Sequence, residues 1–155
     1  MKAAERLEPM TSAAVVAELQ RNYPFPDWLA FPELRIGTGF GKNAEQRLDF
    51  WAMAALPSQR FRRVAYEIKI SRADFLAELR QPLKRRRALL LSNEFYFVAP
   101  PGLIQAGELP PECGLAECEA TYGLHIKHAA PWRDSAPPTW QFLAAVTRRA
   151  LRCSE

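Results

Sequence analysis

Two short apolar runs in this chain carry charges that a buried strand does not tolerate alone. The first, Arg47-Leu48-Asp49-Phe50-Trp51-Ala52-Met53, contains Asp49; the second, Val64-Ala65-Tyr66-Glu67-Ile68-Lys69-Ile70, contains Glu67 and Lys69. Each has the length and the β-branched or aromatic content of a strand. An ionised side chain in such a strand is expensive to bury unless it is paired or binds something. Side chains alternate along a strand. Val64, Tyr66, Ile68 and Ile70 are therefore expected on one face, and Ala65, Glu67 and Lys69 on the other. By the same rule Asp49 points with Arg47 and Trp51, opposite Leu48, Phe50 and Ala52. Pairing of the two runs would bring Asp49 beside Glu67 and Lys69.

Two acids and a lysine on one face make either a salt-bridge cluster across a sheet or a metal site suited to phosphodiester chemistry. Magnesium prefers oxygen ligands, binds through one or two carboxylates and keeps several waters. Asp49, Glu67 and the backbone carbonyl of Ile68 would supply part of such a shell, with water and a substrate phosphate completing it. Lys69, two residues from Glu67, would hold the attacking water or stabilise negative charge in the transition state. Arg47, on the Asp49 face, is the residue that could neutralise the acid in place of a metal ion.

The rest of the composition bounds this reading. The chain has 155 residues, 48% hydrophobic and 25% charged, which suits one domain over residues 1–155 with a substantial core. No apolar run approaches the roughly 20 residues of a membrane helix. Met1-Lys2-Ala3-Ala4-Glu5-Arg6 lacks the apolar stretch of a signal peptide, so a cytoplasmic protein is expected. Cys113, Cys118, His125 and His128 match no usual zinc spacing, and buried or idle thiols are the simpler expectation. The net charge is +4. The basic residues concentrate in Arg80, Lys84, Arg85, Arg86 and Arg87, a block that either contacts phosphates or forms a solvated helix face.

The order of elements can also be read. Thr11 or Ser12 caps a first helix to about Arg21, with Val15, Val16 and Leu19 inward. Glu33 to Thr38 reads as a strand. Gly37-Thr38-Gly39-Phe40-Gly41 reads as a turn and not a phosphate-binding loop, because the following Gly-Lys pair leads into Asn43. Strands follow at Gln46 to Ala54 and Val64 to Ile70. Ser71 caps a helix beginning near Ala73 with Phe75, Leu76, Leu79 and Leu83 as its buried stripe, kinked or split by Pro82. Glu94 to Ala99 is a strand; Leu115 to Ala120 and Gly123 to Lys127 are weaker ones. A last helix runs from Trp140 to about Arg152.

Helix, strand, Asp-bearing strand, Glu-x-Lys strand, helix and strand, in that order, resemble the core of the PD-(D/E)xK nuclease superfamily. Asp49 matches the family's metal-binding acid, and Glu67 and Lys69 match its E-x-K half; Leu48 stands where the name places proline. Glu18 matches the first-helix acid of some members. Tyr66-Glu67-Ile68-Lys69-Ile70-Ser71-Arg72-Ala73-Asp74-Phe75-Leu76 further resembles the K-x-S-x-x-D-F pattern of MmcB-like DNA-repair proteins and related phage-encoded proteins. Ser92 to Ile104 and Glu108 to Glu117 are similar to the same group, so the likeness covers about residues 33 to 119. The resemblance implies an α/β, restriction-endonuclease-like core (αβββαβ) with a central mixed sheet flanked by helices. It implies a magnesium-dependent nuclease, with manganese able to substitute, acting on DNA, RNA remaining open. Asp49 and Glu67, with the Ile68 carbonyl and Glu18 as further candidates, would hold the metal, and Lys69 would orient or activate water. Lys84, Arg85, Arg87 and Ser71 are the expected substrate contacts, and a homodimer is expected from the habit of the superfamily. The alternative is a non-catalytic DNA-binding accessory protein that retains the fold.

Overall fold

The computed structural model describes residues 9–36 and 46–152. The first helix, α1, spans Ser12–Asn22; the Thr11 side chain caps it by accepting from the Ala14 N–H. Six strands follow: β1 Trp28–Arg35, β2 Arg47–Ala54, β3 Arg63–Ile68, β4 Glu94–Ala99, β5 Cys113–Glu119 and β6 Gly123–His128. Three further helices are α2 Arg72–Leu79, α3 Arg86–Leu90 and α4 Trp140–Arg152. The strands form one mixed sheet in sequence order. β1, β2 and β3 are antiparallel neighbours, β3 to β4 and β4 to β5 are parallel, and β6 returns antiparallel. The chain is thus α/β, with a six-stranded mixed sheet flanked by helices. Among the described residues no helix is long and apolar enough to cross a membrane.

The parallel pairs form because β3 and β4 are joined by a crossover through α2 and α3, which a tight hairpin cannot replace. β4 lies inside the sheet, and Phe95, Tyr96, Phe97, Val98 and Ala99 are all buried, as a strand covered on both faces requires. One face of the sheet packs Val15 and Leu19 of α1 against Phe50, Ala52, Val64 and Tyr66. The other packs Phe75 of α2, Ala88 of α3 and Phe142 of α4 against Trp51, Ala65 and Phe97. Trp51 is core, 1% exposed, and its indole N–H donates to the Leu91 carbonyl.

Several expectations are corrected. β1 starts at Trp28, before Glu33, and runs through Pro32; β1 is an edge strand, where a missing ladder donor is tolerated. The expected turn at 37–41 and the end of the expected strand at Thr38 lie outside the described residues. Strict alternation fails in β2: Phe50 and Ala52 face α1, but Leu48 joins Trp51 in the opposite cluster, as does its neighbour Leu34. The switch occurs beside Glu33, whose φ of 52° lies in the left-handed region and turns the strand pair. β3 ends at Ile68 because Ser71 already caps α2, accepting from the Asp74 N–H at 3.1 Å. Pro82 does split the helix, into a 3₁₀ turn over Pro82–Arg85 and then α3. That change of pitch takes Leu83 off the apolar stripe and leaves it 76% exposed. Ser71→Ala removes the cap of α2 and is expected to lower the unfolding free energy by about 1 kcal/mol, read by urea denaturation.

Candidate active site

The β2–β3 ladder runs from Met53↔Arg63 to Phe50↔Tyr66 and goes no further. Where the next pairing would fall, the Asp49 carboxylate accepts the Ile68 N–H at 2.9 Å through Oδ2. On its other side β3 continues beside β4 to Ile68↔Val98, and the Lys69 N–H donates to the Val98 carbonyl at 2.9 Å. The end of β3 is therefore held by β4 on one side and opens as a notch on the other. The Ile68 carbonyl leaves the strand on the same side as its own N–H, so it borders this notch.

Glu67 and Lys69 share a face, as alternation predicts, and Lys69 Nζ lies 3.1 Å from Glu67 Oε1. Lys69 is 8% exposed. A second carboxylate, that of Glu78 on α2, stands 3.4 Å from the same nitrogen. Glu78 Oε2 also meets Lys84 Nζ, from the 3₁₀ turn, at 3.2 Å. Glu78 is the functional candidate that reading the sequence missed. A signal was present: it follows Phe75 by three residues and precedes Leu79, which places a carboxylate on the buried stripe of α2, where it must be paired.

The cluster holds three carboxylates and two ammonium groups. Burial raises the Asp49 pKa from its ordinary value, against the pull of the Ile68 N–H and of Lys69. Glu67 is pushed up to about 7, first by burial and then by the negative charge of Asp49. Burial draws Lys69 down, but Glu67 and Glu78 outweigh it and hold its pKa above the ordinary lysine value. Lys69 is thus a fixed ammonium and a hydrogen-bond donor near neutral pH, while Asp49 and Glu67 are two acids forced together. Arg47 lies near enough for its charge to favour ionised Asp49, but its ion pair among the described residues is with Glu33, 3.7 Å away.

Other expected residues separate from the cluster. Glu18 lies on α1, which covers the opposite face of the sheet, and pairs with Arg21 and Asn22. It is not a ligand candidate for the notch. Arg85 is 4% exposed; it donates to the Glu78 carbonyl at 3.0 Å and lies over the Phe97 ring. A buried guanidinium that anchors the 3₁₀ turn to α2 is a structural part, not a substrate contact. Lys84, Arg86 and Arg87 are exposed, and Lys84 alone reaches the cluster. The Ser71 hydroxyl is used as the α2 cap. Cys113 and Cys118 are buried thiols.

Among the described residues no three His, Cys, Asp or Glu side chains sit together as a ready ligand set for a metal ion. The pair Asp49 and Glu67, with the Ile68 carbonyl, nevertheless suits a hard divalent cation that keeps its waters. Burial first, and then the Asp49 charge, raises Glu67, and a cation bound by both acids would favour their ionised forms.

No protein-family model matches the chain, and no curated protein matches it. A solved structure shares the fold: the SPO1766 protein of unknown function from Silicibacter pomeroyi aligns with a TM-score of 0.63 and 23% identity, over 96% of this chain and 88% of that one.

Because folded Glu67 keeps its proton to about pH 7, the unfolded chain releases that proton first as pH rises. The stability this group contributes is full below its ordinary pKa of 4.5 and is lost by pH 7. Asp49 acts in the same direction. The unfolding free energy is expected to fall by on the order of 3 kcal/mol between these limits, and Glu67→Gln should flatten most of that slope in denaturant titrations at a series of pH values.

Proposed function

We propose that this chain is a divalent-metal-dependent nuclease of the PD-(D/E)xK type, with a restriction-endonuclease-like core, that hydrolyses phosphodiester bonds of DNA. The observation that carries the reading is that Asp49 accepts the Ile68 N–H where the β2–β3 ladder stops, near enough for its charge to act on Glu67, which is paired with Lys69 on the same face. Magnesium, or manganese in its place, would be held by these two carboxylates and the Ile68 carbonyl, and supplies a lowered pKa for bound water and neutralisation of charge at the phosphoryl group. Charge balance fits one phosphodiester. With all five groups ionised the cluster has one net negative charge; a divalent cation makes it one net positive, the complement of a single phosphodiester anion.

The residues of the chain divide the remaining tasks. The Lys69 ammonium donates to the attacking water or to an oxygen on which charge develops. Glu78 and Glu67 fix its nitrogen, so little reorganisation is needed at the moment of reaction. Lys84, half exposed on the 3₁₀ turn, meets the phosphate backbone, with Arg86 and Arg87 extending the positive surface. No base-reading module is legible in the chain, which favours structure-directed or weakly sequence-specific cleavage, in DNA repair or phage DNA processing.

A second reading is a DNA-binding accessory protein without catalysis. It is favoured by the internal pairing of Lys69, whose ammonium already has two carboxylate partners. A nicking assay on supercoiled, single-stranded and branched DNA with magnesium or manganese separates the two. Cleavage is expected, and Asp49→Asn or Lys69→Met should each slow it roughly 100-fold or more. Lys84→Ala should weaken binding and reduce its salt dependence. Unchanged rates in the Asp49 and Lys69 variants would overturn the assignment, and salt-dependent binding with no cleavage would establish the second reading.

A further inference from the structure

A cavity of about 260 Å³ lies between α4 and the sheet, at the opposite end of β3 from Glu67. Its wall on the sheet is Trp51 and Met53, its wall on α4 is Phe142 and Val146, and residues 135–138 close it above. Four residues of strand separate Arg63 from Glu67, roughly 13 Å, so the cavity is distinct from the notch. Trp51 and Phe142 meet edge to face, with ring centroids 5.2 Å apart. The Trp51 N–H is already taken by the Leu91 carbonyl, so the aromatic wall has no polar demand of its own.

Among the described residues the cavity has one charged lining residue, Arg63. Its guanidinium donates to the Phe61 carbonyl at 2.8 Å and to the Ser135 hydroxyl at 2.9 Å, and its Nε is buried with no partner. Among the described residues no carboxylate pairs with it, unlike Arg62 next to it, which grips Glu94 with two hydrogen bonds. A partly buried cation with neutral partners only, beside an apolar aromatic cavity, is the arrangement that receives an amphipathic anion: the apolar body displaces water from the cavity and the anionic group supplies the missing countercharge.

We propose that this cavity is a binding site for a small ligand with a flat apolar body and a single carboxylate, anchored by Arg63. The Ser135 hydroxyl is the second polar contact for the ligand. This site is independent of the nuclease reading, and its test does not involve nucleic acid.

The test is calorimetric titration of the full chain with 3-phenylpropionate and with its neutral counterpart 3-phenylpropionamide. Submillimolar binding of the acid and at least tenfold weaker binding of the amide are expected. Arg63→Met should abolish that preference. Val146→Phe, which fills the cavity from α4 and leaves Arg63 in place, should remove binding of both probes, and circular dichroism of each variant verifies its fold. Equal affinity for acid and amide, absence of binding by either at millimolar concentration, or unchanged binding in folded Val146→Phe would overturn the proposal.

Discussion

The Lys69 ammonium, held between Glu67 and Glu78, is the interaction on which the rest of the site depends. It links the end of β3 to the middle of α2, and through Glu78 it reaches Lys84 on the 3₁₀ turn. Without it two carboxylates would face each other across a nearly dry space, a far larger penalty than an exposed pair could cause. The ion also explains the position of the 3₁₀ turn: Arg85 fastens the same turn to the Glu78 carbonyl, so charge and backbone constraints converge on one residue of α2.

Asp49 depends on a different device. Its carboxylate replaces a backbone acceptor where the β2–β3 ladder stops, so the acid is positioned by the same event that opens the notch. The left-handed Glu33 and the exchange of faces around Leu48 belong to this event. The β2–β3 pairing runs to Phe50↔Tyr66 and stops there, so the acids sit directly beyond a paired stretch of sheet. At the other end of β3 the sheet is closed by α4, and there an aromatic cavity with one unmatched arginine takes the place of the polar notch.

Much of this was legible beforehand, for reasons that are local. The Glu94 to Ala99 strand, the Thr11 and Ser71 caps and the Pro82 break each follow from side-chain chemistry within a few residues. The sharing of a face by Glu67 and Lys69 is a matter of period alone. The misreadings came where distant contacts decide. Arg85 reads as one more member of a basic block, yet the turn after Pro82 rotates it inward over Phe97. Leu83 reads as core and is rotated outward by the same turn. Glu18 reads as a site acid, but α1 lies on the other face of the sheet.

By itself the sequence determined which charges had to be explained: Asp49, Glu67 and Lys69 stand in runs too apolar to leave them unpaired, and strand alternation aims the last two together. Only the tertiary structure decided how they are satisfied. The crossover from β3 to β4 carries α2 over the sheet face and lowers Glu78 onto Lys69, a contact between residues nine apart in the chain. The early end of the β2–β3 ladder brings Asp49 to the Ile68 N–H, nineteen residues away. Neither is set by local preference; both arise because a sheet must end somewhere, and the polar groups exposed at that end must find partners.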